Sequence, residues 1–230
     1  AQVLSRYLAG ITYRCFGHAD VVELAEHSTV PVINALSDKH HPCQAAADLM
    51  TIKEKFDDLG SVKIAYVGDG NNVLHDLMLA AAIVGSDITW ATPEGYEPDE
   101  GIVTRALELA ETSGSTLTGT NDPVEAVRDA NVVYTDVFVS MGEEGLADKI
   151  GDFDGFQIND ELVSHADDEY LFMHCLPAHR GDEVTDSVMD SENSIVFDQA
   201  ENRMWAQISL LSFLISDVAW ETYAEFLELG

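Results

Sequence analysis

The chain has 230 residues, is 46% hydrophobic, and carries 42 acidic against 11 basic side chains, a formal charge of −31. A field of that sign repels phosphate backbones and argues against a nucleic-acid partner. No stretch reaches the roughly 18 uninterrupted apolar residues of a membrane span, Ile208 to Ile215 being the nearest, so no membrane partner is expected.

The first eight residues, Ala1 to Leu8, mix polar and apolar types instead of forming a charged head and an apolar block. They predict no secretory leader and a cytoplasmic protein. Three cysteines, Cys15, Cys43 and Cys175, lack Cys-x-x-Cys spacing and suggest neither a disulfide framework nor a zinc knuckle. The acids are dispersed (Asp57-Asp58, Asp99-Glu100, Glu143-Glu144, Asp167-Asp168-Glu169), and lysine is confined to 39, 53, 55, 63 and 149. That is the pattern of a folded surface in a salt-loaded cytoplasm, where dense ions screen charge within a few ångströms, and it predicts a halophilic source.

In chain order, Val3, Leu4, Tyr7, Leu8 and Ile11 follow the spacing of an amphipathic helix with no cap ahead of it. Ile11 to Phe16 alternates as a strand, Ala19 to Glu26 reads as a helix, and Val30 to Ala35 as another strand. From Pro42 to Phe56 a longer helix is predicted, with Ala45, Ala46, Leu49, Ile52 and Phe56 inward, long enough to link two domains. A second series begins with strand Val62 to Val67, a glycine turn at Gly68-Asp69-Gly70, and helix Asn72 to Val84. Further strands are expected at 87–91, 115–118, 132–135, 156–158, 170–174 and 194–197, with helices at 101–112, 123–129, 187–189 and from Met204 to Leu229. Strands alternating with helices specify parallel sheets, an α/β class.

Four segments carry chemistry. Gly68-Asp69-Gly70-Asn71-Asn72 has the strand, turn and helix of a dinucleotide fingerprint, but Val73 replaces its third glycine and Trp90-Ala91-Thr92 its ribose-binding acid. Nicotinamide binding is the weaker reading, and the amide of Asn72 at a helix start suits a carboxylate. His40-His41-Pro42-Cys43-Gln44 opens the linking helix; its spacing does not suit one metal ion, and helix capping explains it equally well. Asp136 leaves a buried strand with Ser140 and Met141 beyond it, at the edge where doubly wound sheets hold ligands, although a turn cap is the commoner role. Tyr170-Leu171-Phe172-Met173-His174-Cys175-Leu176-Pro177 delivers His, Cys and a proline turn to the same edge. A lone cysteine is usually inert packing, yet one leaving a strand beside histidine is more often reactive; no cysteine-protease signature accompanies it.

Taken together, His-Pro-Cys-Gln (41–44), Gly-Asp-Gly-Asn-Asn (68–72), Ala-Thr-Pro-Glu-Gly-Tyr (91–96), Asp-x-x-x-Ser-Met-Gly (136–142), His-Cys-Leu-Pro (174–177) and Glu-Asn-Arg (201–203) resemble, in order, the ornithine carbamoyltransferases. The resemblance implies two doubly wound parallel-sheet domains joined by a helix, the first incomplete. Residues 1–56 would be the remainder of a carbamoyl phosphate-binding domain, 57–203 an ornithine-binding domain, and 204–230 a helix returning to the first. It implies carbamoyl transfer from carbamoyl phosphate to the side-chain amine of L-ornithine, giving L-citrulline and phosphate, with no metal or organic cofactor and a homotrimer or multiple of trimers.

By the same resemblance, Arg14, His41, Gln44 and Arg203 bind carbamoyl phosphate and polarise its carbonyl, with Pro42 and Cys43 in the same segment. Asp136 and Cys175 flank ornithine, Asn72 with Ser140 and Met141 holds its amino-acid end, and Cys175-Leu176 touches the carbamoyl group. Arg14, His41, Asp136 and Cys175 are the implied catalytic residues. A carboxylate beside an amine stabilises its charged form, so Asp136 is expected to orient substrate, leaving Cys175 as the proton partner and not a covalent nucleophile. The family's Ser-Thr-Arg-Thr phosphate loop is absent from these 230 residues, which leaves the carbamoyl phosphate wall incomplete, and Phe138 stands where Trp is usual. The competing readings are another amine acceptor, a non-catalytic binding subunit, and a nicotinamide-dependent dehydrogenase.

Overall fold

Alternating strands and helices build two parallel sheets in a computed structural model, which describes residues 1–139 and 147–216. In the first, β1 (Ile11–Arg14) pairs with β2 (Val32–Leu36) across α1 (His18–Glu26). The linking helix α2 (Pro42–Lys55) leads to β3 (Lys63–Val67), α3 (Asn72–Val84), β4 (Asp87–Ala91), α4 (Glu100–Ser113) and β5 (Leu117–Thr120). There follow α5 (Pro123–Val127), β6 (Val132–Thr135), α6 (Asp160–Val163), β7 (Leu171–His174), α7 (Asp186–Met189) and α8 (Val196–Ile215). The second sheet runs β5-β4-β3-β6-β7, every pair parallel, so the chain reverses direction across the sheet at β3 and β6.

Both faces of this sheet are covered, which is why its strands read as nearly continuous apolar runs. Ile64, Tyr66, Val132, Tyr134 and Met173 face α3 and α4, packing on Leu74, Leu77, Met78, Ile102 and Ala106. Ala65, Val67, Val133 and Phe172 face the shorter helices, against Ala126, Val127, Leu162, Val163, Val188 and Met189. α3 starts under the side-chain cap of Asn71 and stops at Gly85 in the left-handed region, φ 88°.

The structure departs from expectation where tertiary contacts override local pattern. The inward face of α2 keeps the expected Ala45 and Ile52 but is otherwise rotated and polar: Ala46 is exposed and Leu49 half-buried, while Gln44, Asp48 and Thr51 are buried against α8. Residues 194–197 do not form a strand; Ser194 makes one bridge to Phe172, and α8 already begins at Val196, ahead of Met204. Likewise 156–158 contributes only the bridge of Ile158 to Val184. The predicted opening helix is a 3-10 turn at Leu4–Arg6, because Ile11 is drawn into β1 and buried there. The part of the final helix expected beyond residue 216 lies outside the described residues. Among the described residues no helix is long and apolar enough to cross a membrane.

The Gly68-Asp69-Gly70 turn serves the chain itself. Gly70 N donates to Tyr96 O at 2.9 Å, and a Cβ on Gly70 would lie 2.4 Å from Tyr96 O, Glu97 C and Pro98 N. The loop after β4 thus fills the hollow that pyrophosphate occupies in a dinucleotide turn. Backbone cannot yield as a flexible side chain would, so Gly70→Ala should cost about 2–3 kcal/mol of unfolding free energy. Denaturant titration at constant high KCl measures it; a loss near zero would mean that the loop moves aside freely.

Candidate active site

Open parallel sheets hold ligands beyond their carboxyl ends, where strand order reverses. Here that point lies between β3 and β6, and the residues following these strands touch across it: Asn71 Nδ2 donates to Asp136 Oδ2 at 2.7 Å. Asn71 Oδ1 accepts from the amides of Val73 and Leu74, so its NH2 group has to face the carboxylate. From the end of β7, Cys175 Sγ donates to Asp136 Oδ1 at 2.9 Å. Burial first, and then the Asp136 charge, push the Cys175 thiol well above its ordinary value. At neutral pH it is a neutral donor and offers no thiolate nucleophile.

His174 shapes the turn behind Cys175. It is fully buried, its Nε2 is 3.1 Å from Glu183 Oε1, and its Nδ1 accepts the Leu176 N–H at 2.9 Å. An imidazole that accepts at Nδ1 carries its hydrogen on Nε2, so Glu183 selects the tautomer that holds the turn. Leu176 sits at φ 56°, a region that non-glycine residues rarely adopt, and precedes a cis bond to Pro177. Asp136, His174 and Cys175 place one potential ligand atom each within 4.8 Å of one another. Both ring nitrogens of His174 are already engaged, which opposes a metal ion there.

A second wall forms where α2 begins. His41 N donates to Asp76 Oδ2 at 2.6 Å, and Asp76 Oδ1 lies 2.6 Å from His40 Nδ1. His41 Nε2 is 3.2 Å from Arg203 Nη1, which also donates to Gln44 Oε1. Burial, then the charges of Arg203 and Arg14, lower His41 to about 3, so the ring is neutral and accepts from Arg203. Arg14 ends β1 where the register shifts, exposed on that side. Among the described residues, His41 Nδ1 and Arg203 Nε are buried without a hydrogen-bond partner, an uncommon state that a polar ligand would relieve.

The sequence-predicted residues thus separate into groups. His41, Gln44 and Arg203 touch one another, and Asp136 touches Cys175. Pro42 is exposed in the first turn of α2, and Cys43 is buried with Sγ 3.5 Å from Asn34 O, a packing position. Asn72 Nδ2 donates to Ser37 O at 2.7 Å, tying α3 to the loop after β2. Leu176 is half-buried in the turn after β7. Ser140 and Met141 lie outside the described residues.

Sequence reasoning missed Asn71, Asp76, Glu183, Gln199 and Asp48. Asn71 was visible as half of an unexplained asparagine pair, and Asp48 as an acid one helical turn after Gln44. For Asp76, Glu183 and Gln199 no local signal exists.

The His41 environment has a pH signature. Its folded value lies below the ordinary 6.5, so between about 6.5 and about 3 only the unfolded chain takes up this proton and stability falls as pH falls. The slope is about 1.4 kcal/mol per pH unit within that window. His41→Asn should therefore move the acid unfolding midpoint to lower pH, followed by circular dichroism; an unchanged midpoint would contradict the depressed value.

The chain is similar to known proteins over nearly its whole length. Residues 1–54 match the aspartate/ornithine carbamoyltransferase carbamoyl-P binding domain and 60–214 the Asp/Orn binding domain of the same family. An anabolic ornithine carbamoyltransferase of Pyrococcus furiosus is 55% identical over 221 residues, covering 95% of this chain and 70% of that protein. The Bacillus cereus ornithine carbamoyltransferase is 55% identical over 218 residues, 95% of this chain and 69% of its own length. The solved Pyrococcus furiosus ornithine carbamoyltransferase superposes with a TM-score of 0.91 at 54% identity, over 94% of this chain and 69% of that one. The ornithine transcarbamoylase of Giardia lamblia gives 0.87 at 33% identity, over 94% and 73%. With both family domains matched along its length, the chain belongs to the aspartate/ornithine carbamoyltransferase family.

Proposed function

We propose that this protein transfers the carbamoyl group of carbamoyl phosphate to the side-chain amine of L-ornithine, giving L-citrulline and phosphate. The observation that carries the reading is the pair of facing walls: Asp136 with Cys175 on one side, and Arg203, His41 and Gln44 on the other. Asp136 attracts the cationic amine and orients it. The amine attacks the carbamoyl carbon uncharged, and deprotonation at neutral pH costs about 4–5 kcal/mol on the reference scale for an alkylamine. As the new C–N bond forms, the bond from carbon to the phosphate oxygen breaks. The departing phosphate keeps the electron pair of the broken bond, and that oxygen takes up the amine proton. Arg203 and neutral His41 supply donors for the developing oxyanion and the phosphate, with Arg14 adding positive charge.

Residues 1–56 make the remainder of the carbamoyl phosphate domain in this reading, 57–203 the ornithine domain, and the chain from 204 returns to the first. Asn72, Ser140 and Met141 hold the amino-acid end of ornithine, and Leu176 the carbamoyl group. The enzyme is a cytoplasmic homotrimer or multiple of trimers from a halophile; three free cysteines suit a reducing compartment, and the −31 charge suits molar salt.

Incubating the full chain with carbamoyl phosphate and L-ornithine in high KCl should yield citrulline, while other amines yield little. No citrulline would favour a non-catalytic binding subunit. Cys175→Ala removes the thiol that donates to Asp136 and should lower kcat about 100-fold, the scale of a group displaced beside the reacting atoms; a near-normal kcat would remove Cys175 from the chemistry. Melting temperature should climb with KCl into the molar range, and full stability in dilute buffer would refute the halophilic origin.

A further inference from the structure

Between the two walls, in the seam where α2 meets α8, lies a fully buried carboxyl group. Asp48 Oδ1 accepts from Gln44 Nε2 and from Gln199 Nε2, each at 2.7 Å, and Asp48 Oδ2 accepts from the Tyr134 hydroxyl at 3.1 Å. An ionised carboxylate has no hydrogen to give. Both glutamines must therefore turn their NH2 groups toward it and their carbonyl oxygens away. Gln44 Oε1 consequently meets the Arg203 guanidinium, and Gln199 Oε1 accepts the His174 backbone N–H at 2.9 Å. Arg203 and a backbone N–H can only donate, so the direction of each amide is determined from both ends.

We infer that Asp48 is a positioning residue: its carboxylate dictates the direction of the Gln44 and Gln199 amides and thereby couples the Arg203–His41 wall to the strand end that delivers Cys175. The inference rests on the carbamoyl transfer proposed above, in which Gln44 and Arg203 face carbamoyl phosphate. Without the charge, one oxygen of Asp48 becomes a donor. Only Arg203 then still orients the Gln44 amide, and the two-ended constraint on its direction is lost.

Stability does not account for the charge. Burial outweighs the three donors and raises Asp48 to about 6 from 3.8, so in that window the folded chain holds a proton that the unfolded chain has lost, and stability falls as pH rises. The other titratable groups sharing its field are Arg203, Cys175 and Tyr134. At neutral pH the carboxylate is therefore a cost to the fold, and amide direction is what it supplies in return.

Two variants of the full chain test this. Asp48→Asn, uncharged and of the same shape, should keep or raise the melting temperature at pH 7, raise KM for carbamoyl phosphate at least tenfold and lower kcat. Gln199→Met removes the His174 arm together with one amide donor to Asp48 and Tyr134, leaves Gln44 between Asp48 and Arg203, and should lower kcat while KM for carbamoyl phosphate stays within about twofold. Independently of turnover, the side-chain amide NMR signals of Gln44 and Gln199 should titrate together near pH 6 and lose that titration in Asp48→Asn. Should the unsubstituted protein make no citrulline, the functional reading fails while the joint titration still judges Asp48. Separate or absent titrations overturn the inference, as does an active Asp48→Asn with unchanged KM and kcat. If Asp48→Asn does not fold, the Gln199→Met kinetics and the titration of the unsubstituted protein decide.

Discussion

The polar seam between α2 and α8 sets the geometry of everything around it. Along the two helices the contacts run Asp198 to Lys55, Asn202 to Thr51 and Glu54, Gln199 to Asp48, and Arg203 to Gln44 and His41. An apolar seam tolerates small slides, since dispersion has little direction. A hydrogen-bonded seam does not, because one step of sliding would leave several buried groups unpaired, at about 1–3 kcal/mol each. The axial position of α8 is thus tied to α2, and α8 carries Arg203 to the start of α2 and Gln199 to the end of β7.

The same seam manages charge in a chain that is otherwise strongly acidic. Arg203 meets a neutral imidazole and an amide oxygen, so its positive charge is not spent on an internal carboxylate. His41 is kept neutral by burial and by its cationic neighbours. On the opposite wall, Asp136 is satisfied by an amide and a thiol, groups that a cationic amine can displace or join. Each wall therefore holds its charge among neutral partners, which suits one to an anion and the other to an ammonium group.

Rigid elements carry these groups. Asn71 both caps α3 and braces Asp136, so the start of that helix and the wall are one hydrogen-bonded unit. His174 ties the turn before Pro177 to Glu183 and, through its backbone, to Gln199. Asp76 holds His40 and His41 from the first turns of α3, linking the start of α2 to the second sheet.

By itself the sequence determined much of this. The bounds of α3, β4 and β6 matched their patterns, and α2 its expected span, because glycine turns, Asn71 and Pro42 are local signals acting over one or two turns. Ordered motifs brought His41, Gln44, Asp136, Cys175 and Arg203 to notice; all but Arg203, which lies inside α8, sit at the end of a readable strand or the start of a readable helix. Tertiary structure alone rotated the inward face of α2, where Asp48 and Thr51 are buried beside the expected Ala45 and Ile52 while Ala46 is turned out. It alone made 196–197 the start of a helix, and joined the Asn72 amide nitrogen to Ser37 O while Asn71 took the contact to Asp136. In each case the deciding partner lies dozens of residues away in the chain, and hydrogen bonds between such positions leave no trace in local composition or spacing.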